Sequence, residues 1–316
     1  MITIYKTDEE KNLIELGINE AQSGSWFNLI DPNDEEIQKV SLVLNLDDGF
    51  LRNSLDSDER SRIDIDDGHM LIIVNIPIVE DGNIDTLPLG IIFTPTSLIT
   101  VCSRENKIIK SFNKEMSKYF DTKNKTNFLL NILFRTSKAY LRYLDALYKQ
   151  SEEIEDELRK TMKNKALFGL YEVQKSLVYF TTALRDNNLV LQKILRISKA
   201  VAPNAVMKFT EDDIDLLEDV IIENKQALEM VEMHRSILEN MMDAFASIIS
   251  NNLNVVMKRL TSITIILAIP TMFASFWGMN VELPNIGFMS GFLFVFIVSI
   301  IVASIAGIIF ARKGMF

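Results

Sequence analysis

Two long uncharged runs near the C-terminus constrain this chain more than any other feature in it. Leu260 to Phe276 carries no charged side chain, and a second uncharged run extends from Phe288 to Ala311 after a short loop holding Glu282, Pro284 and Gly287. The second run is long enough to cross a hydrocarbon core of about 30 Å, and the first reaches that length with its flanking residues. Lipid offers the backbone no hydrogen bonds, so a short-looped pair of such runs predicts a helical hairpin. Lys258-Arg259 precede the first span and Arg312-Lys313 follow the second, while the loop between has no Lys or Arg. The bias of basic residues toward the cytoplasm then predicts a multi-pass protein with both termini cytoplasmic.

Within the first span, one helical face is small or polar nearly throughout. Asn254, Met257, Thr261, Thr264, Ala268, Thr271, Ser275 and Gly278 recur at steps of three and four. A neighbouring face of Val255, Ser262, Ile265, Ile269, Met272 and Phe276 is largely apolar. The polar stripe has two readings: close helix packing with hydroxyls as glue, or the wall of a water-filled path shared by several copies. Two helices cannot enclose a pore, so the second reading requires an oligomer. The stripe holds no carboxylate, which suits an ion that keeps its water shell.

The remainder reads as a soluble part with two characters. Of 33 basic and 43 acidic residues, the segment from Lys258 onward holds four and one, leaving 29 and 42 before it, a net of −13. Such an acidic balance argues against a nucleic-acid partner and suits divalent cations. Met1 to Glu10 lacks the apolar core of a secretory leader, and the lone Cys102 fits a reducing compartment. Residues 1–125 predict an α/β domain. Strands are expected at Ser25–Ile30, Leu71–Ile76, Leu89–Phe93 and Leu98–Cys102, with a turn at Asp81-Gly82 and an acidic helix start at Asp31–Glu36.

Residues 126–257 predict a stalk of long helices with coiled-coil character, beginning with Leu133, Thr136, Tyr140, Tyr143, Leu147, Ile154, Leu158 and Met162. A second helix runs from about Leu167 to Ala200. A third starts at Thr210 and meets no Gly or Pro before Ile269, about 100 Å of helix at 1.5 Å per residue. Residues 258–316 form the membrane hairpin. Phosphate loops, nucleophile elbows and zinc-type clusters do not occur, and His69 and His234 are the only histidines. The chain is not expected to be an enzyme or to hold an organic cofactor.

The segment from Asn254 through Met257-Lys258-Arg259-Leu260-Thr261 to Trp277-Gly278-Met279-Asn280 resembles the pore helix of the CorA-type divalent-cation transporters, the two-transmembrane GxN superfamily. Trp26–Leu29 before Asp31-Pro32, and Asp58–Asp64 before a strand, resemble that family's cytosolic domain. The resemblance implies an α+β membrane protein assembled as a homopentamer in the plasma (inner) membrane. It implies uptake of Mg²⁺, with Co²⁺ or Ni²⁺ as further cargo, and closure when cytosolic Mg²⁺ binds between subunits. On this reading Asn280 forms a ring touching the ion's water shell, Gly278 permits the turn that aims it, and Met279 completes the triplet. Asn254, Met257, Thr264 and Thr271 line the path, with Met257 and Leu260 as a hydrophobic constriction. The inhibitory site pairs Asp219 with Asp66 or Asp67, beside Gly68, where some relatives carry an acid. The alternatives are a zinc-transporting relative and a non-conducting membrane tether.

Overall fold

The computed structural model describes the chain except residues 81, 162–163, 201–205, 280–290 and 316. In chain order the elements are β1 (Ile2–Thr7), β2 (Leu13–Leu16), β3 (Trp26–Ile30), α1 (Asp34–Leu44), α2 (Asp48–Asn53), β4 (Arg62–Asp66), β5 (His69–Glu80), β6 (Asn83–Phe93), β7 (Leu98–Cys102), α3 (Lys107–Lys110), α4 (Lys125–Thr161), α5 (Asn164–Lys199), α6 (Glu211–Trp277) and α7 (Gly291–Arg312). They fall into two compact units, Met1–Glu239 and Asn240–Phe316, whose boundary lies within α6.

The first unit is built on a seven-stranded sheet ordered β2-β1-β3-β7-β6-β5-β4. Only β3 and β7 pair in parallel; every other pairing is antiparallel. Side chains in a strand alternate between faces, and here both faces are buried. Met70, Ile72, Val74 and Ile76 of β5 join one core with α4 and α5, together with Leu217 and Val220 of α6. Leu71 and Ile73 point the other way, into a second core with Ile37, Val40, Phe50 and Leu51 of α1 and α2. That double burial explains why β5 reads as a continuous apolar run.

The strands are longer than the apolar runs that predict them. β5 and β6 extend to Glu80 and Asn83 because each polar end is paired with the other strand, Glu80 opposite Asn83 and Asn75 opposite Pro88. Gly82 has φ +84° in the expected turn, whose other residue, Asp81, lies outside the described residues. β1, β2 and β4 have no counterpart among the expected strands. β4 is charged because it is an edge strand, where charge discourages further pairing. Its connection to β5 is the two-residue turn Asp67-Gly68, both at positive φ (+45° and +76°), the primed hairpin geometry that favours Asp-Gly.

Polar groups in these cores are tied down. Asn28 faces Thr100 across the parallel pair. Thr100 Oγ1 accepts from Trp26 Nε1 (2.9 Å) and donates to Asn28 Oδ1 (3.1 Å). Asn187, buried on α5, accepts from Ser61 Oγ and Asn75 N (both 2.9 Å) and donates to Asn75 O (2.8 Å). Tyr140 of α4 donates to the same Asn75 carbonyl (2.9 Å). Both long helices are thereby pinned to one residue of β5.

α6 opens with a reciprocal cap. Asp213 N donates to Thr210 Oγ1 (3.2 Å), Thr210 N donates to Asp213 Oδ2 (3.0 Å), and Asp213 Oδ1 also accepts from Asn127 of α4 (3.0 Å). Gly169 packs α5 closely against α4, where an added Cβ would lie 3.1 Å from Ile154 Cδ1.

Asn187→Leu removes three hydrogen bonds and leaves the Asn75 amide of β5 without a buried acceptor. It is expected to destabilise the protein by about 2–3 kcal/mol. Thermal unfolding of the detergent-solubilised chain should show a fall of several degrees, and an unchanged melting temperature would remove this account of how α5 is held.

Candidate functional site

The second unit holds the two helices that are long and apolar enough to cross a membrane, the C-terminal part of α6 and α7. α6 passes through Pro270 without ending. Proline lacks the N–H that would bond the Ile266 carbonyl, a loss that membrane helices tolerate better than soluble ones.

Burial along this pair is inverted relative to a soluble core. Among the described residues beyond Phe245, only Ser262 and Ser299 are buried, while Leu260, Leu267, Phe276, Phe292 and Ile308 are exposed. The serine hydroxyls are satisfied within their own helices, Ser262 Oγ to Lys258 O (2.8 Å) and Ser299 Oγ to Phe296 O (2.9 Å). Gly307 of α7 faces Ile266, whose Cδ1 would lie 3.7 Å from an added Cβ. The less exposed positions of α6 are Ser262, Ile266, Ile269, Pro270, Phe273 and Trp277.

At 100° per residue these positions cluster about 180° from the stripe of Thr261, Thr264, Ala268, Thr271, Ser275 and Gly278. The stripe is exposed throughout its length. It is therefore not the surface that packs α6 against α7, and the simplest packing explanation for its polarity fails within one chain. Thr264 Oγ1 donates to Leu260 O (2.8 Å) and Thr271 Oγ1 to Leu267 O (3.2 Å). With its proton engaged, each hydroxyl offers outward only lone pairs. The exposed stripe is thus an acceptor surface. Asn254, Met257 and Leu260 lie further toward the N-terminus of the same span, all exposed.

Gly278 N donates to Ala274 O (3.0 Å) as the chain leaves the helix. Gly278 does not take a positive φ, and among the described residues an added Cβ would meet Ala274 O at 3.5 Å and Ser275 O at 3.7 Å, ordinary contacts. Met279 is exposed beside it. Asn280 and the loop containing Glu282 lie outside the described residues.

The other two site residues belong to the first unit. Asp67 is exposed at the β4–β5 turn and Asp219 is exposed on α6 between buried Leu217 and Val220. Gly68 has a local reason to be glycine, its φ of +76° in that turn. Among the described residues no group of three or more His, Cys, Asp and Glu side chains is placed to hold a metal ion. Of the two histidines, His69 is buried in β5. His234 stacks on Tyr148 with both ring nitrogens buried and without hydrogen-bond partners, and burial holds its pKa below the ordinary imidazole range. The His234 ring is an interhelical packing group between α4 and α6 within the chain.

Residues 21–312 match the family model described as CorA-like Mg2+ transporter protein. The chain belongs to the CorA family. It is 29% identical to the cobalt/magnesium transport protein CorA of Methanocaldococcus jannaschii over 99% of both chains. To the protein of the same name from Thermotoga maritima it is 20% identical, covering 98% of this chain and 88% of that one. The complete structure of the M. jannaschii CorA magnesium transporter superposes with a TM-score of 0.85 at 27% identity, covering 100% of this chain and 99% of that one. CorA proteins are transporters, not enzymes. This CorA chain therefore carries its polar stripe on the face of its first membrane helix turned away from its own second helix.

Gly307→Ala is expected to be tolerated, since the new methyl would make an ordinary contact with Ile266. Gly307→Leu forces α7 from α6 and should lower the thermal stability of the solubilised protein by several degrees, an overpacking cost of about 1–3 kcal/mol. Equal melting temperatures for the two variants would show that the helices do not meet at Gly307.

Proposed function

We propose that this CorA protein is a homopentameric Mg²⁺ channel of the cell membrane that passes the ion largely hydrated into the cytoplasm. The observation that carries this reading is the acceptor stripe exposed opposite α7. Waters bound to Mg²⁺ are polarised donors, and lone pairs from Thr264 and Thr271 on each copy match them without stripping the shell. A bare divalent ion would need carboxylates, and the stripe has none. Asn280 supplies the amide ring at the entrance, next to Gly278 and Met279, while Asn254 continues the polar path. Met257 and Leu260, each more than half exposed in the single chain, form the constriction that closes by dewetting. Entry of a divalent charge gains about 4.6 kcal/mol per 100 mV of inside-negative potential, twice the single-charge value, so no fuel is required.

Feedback is assigned to Asp219 and Asp67 on neighbouring copies. Each is solvent-exposed, and among the described residues neither belongs to a metal-holding cluster, which suits a site completed by a second subunit. Bound Mg²⁺ holds the copies together, and its loss at low cytosolic Mg²⁺ frees α6 to move.

The test is Mg²⁺ influx into proteoliposomes with internal Mg²⁺ varied. Asn280→Ala should abolish most of the flux, a loss of roughly tenfold or more for the entrance ring. Thr271→Val, which keeps shape and removes the acceptor, should reduce it less. Asp219→Asn should leave flux at low internal Mg²⁺ intact and make it persist at high internal Mg²⁺. Flux indifferent to Asn280 rejects the entrance, Zn²⁺ flux exceeding Mg²⁺ flux selects the zinc alternative, and no flux from a folded oligomer selects the tether.

A further inference from the structure

In an acidic chain of net charge −10, four cationic side chains line one concave place in the first unit. Arg135, Lys138 and Arg142 are spaced three and four apart on α4 and face Lys107 and Ser111 across a cavity of about 440 Å³. Ala139 and Ala146 keep its floor open, and Pro77, Ile108 and Tyr143 supply apolar wall. A second cavity of about 220 Å³ shares Pro77, Lys107 and Tyr143 with the first and so adjoins it. Asn106, 6% exposed, lines this second space, and beyond the weakly accepting Cys102 thiol its Nδ2 has no hydrogen-bond partner.

The carboxylates nearby are already engaged. Glu223 pairs with Lys138 at 2.5 Å and Glu105 with Lys110 at 2.6 Å. None of the ion pairs among the described residues involves Lys107, Arg135 or Arg142. Arg135 is the least ordinary of the three. It is half-buried over the Phe112 ring, 4.5 Å from the centroid, and its one side-chain bond runs from Nη1 to Ser111 Oγ at 2.8 Å. Burial holds its pKa below the usual guanidinium value. A guanidinium has five N–H donors in a planar fork, so most of this one's capacity is unused. Leaving a partly desolvated cation without a counter-charge is costly, and a bidentate oxyanion is the partner that relieves it.

We propose that this groove between α3 and α4 binds a small phosphomonoester, its phosphate held by Arg135, Lys107 and Arg142 and its organic body lying on Pro77, Tyr143 and the alanine floor. The volume is that of a small-metabolite pocket, and a cationic end beside an apolar wall selects an anion with a non-polar body over inorganic phosphate alone. Its residues are none of those assigned to the proposed ion path, and its ligand does not depend on the transported ion.

The experiment is isothermal titration of the full chain in uncharged detergent micelles and metal-free buffer, with AMP, adenosine, inorganic phosphate and dihexanoyl phosphatidic acid as probes. AMP is expected to bind saturably and more tightly than inorganic phosphate, and adenosine not to bind. Lys107→Gln and Arg142→Gln alter exposed side chains, so the unliganded melting temperature should hold. The double variant should weaken AMP binding roughly tenfold or more, the scale of two lost charge-assisted contacts. Tighter binding of dihexanoyl phosphatidic acid than AMP, lost in the same variants, keeps the site and identifies the phosphate as a lipid headgroup. No saturable binding up to about 10 mM, weaker than metabolite recognition, overturns the proposal, as does binding that the double variant leaves unchanged. A change of oligomer size in the double variant without phosphate binding also overturns it and assigns the cations to a neighbouring copy's carboxylates.

Discussion

One hydrogen-bond ladder has to serve two solvents in this protein. α6 begins against a water-facing domain, where its Leu217 and Val220 are core residues, and ends in a segment whose apolar side chains are its surface. A helix is suited to this because its backbone is satisfied internally wherever it lies. What changes along its length is only which side chains face outward. At the start the rule is that of soluble proteins, with exposed Asp212, Asp215 and Asp219 around a buried apolar stripe. Beyond Phe245 the rule inverts, and the buried positions are serines. Water drives apolar groups together in the first regime. Lipid gives them no such reason in the second, so close contact is made by small residues such as Ser262 and Gly307.

That inversion governs how much of the protein is legible from sequence. The membrane spans and the long helices are plain because each carries a sustained pattern, either uncharged length or a three-to-four repeat. The centres of β3, β5, β6 and β7 are plain as well, because both faces of the sheet are covered and their apolar runs are unbroken. The ends of β5 and β6, and all of β1, β2 and β4, are hidden for a shared reason. Their strand character comes from pairing with a neighbour, and residues such as Glu80, Asn83 and Arg62 carry no local preference that announces it. The β4–β5 hairpin did leave a trace in Asp67-Gly68, the pair that a primed two-residue turn favours. Considering those residues only as a place for a missing acid obscures the backbone reason for the glycine.

The proposed ion path is legible in a different way. A spacing of three and four places Thr264, Thr271 and their neighbours on one face, but spacing cannot say what that face meets. The structure adds the direction of the Thr264 and Thr271 hydroxyls, each donating back to the carbonyl four residues earlier. It also adds that the second helix covers the opposite side. Both facts bear on chemistry, because an acceptor-only surface distinguishes a hydrated cation from an anion, whose hydration shell would ask for donors as well. Gly278 itself has no positive φ, and the turn expected to aim Asn280 falls on residues outside the described ones.

The groove on α4 lies wholly outside what a linear pattern reveals. Arg135, Lys138 and Arg142 in sequence are an ordinary solvated helix face, and nothing local sets them apart from Lys149 or Arg159. What separates Arg135 and Arg142 from Arg159 and from Lys138 is the distribution of carboxylates in space. Arg159 has Glu155 one turn earlier and Lys138 has Glu223 from α6. Arg135 and Arg142 have no carboxylate of the described chain beside them, in a protein with ten more acids than bases. Acidic excess makes an unpaired, half-buried cation harder to explain as chance, because the supply of partners is large. A charge kept partly out of water, over an aromatic ring and without its counter-ion, is destabilising in the free protein. A fold carries such a cost without benefit only if nothing else is bound there. The same physics that makes the polar stripe of α6 readable, unused hydrogen-bonding capacity on an exposed face, therefore applies here with the sign of the charge reversed.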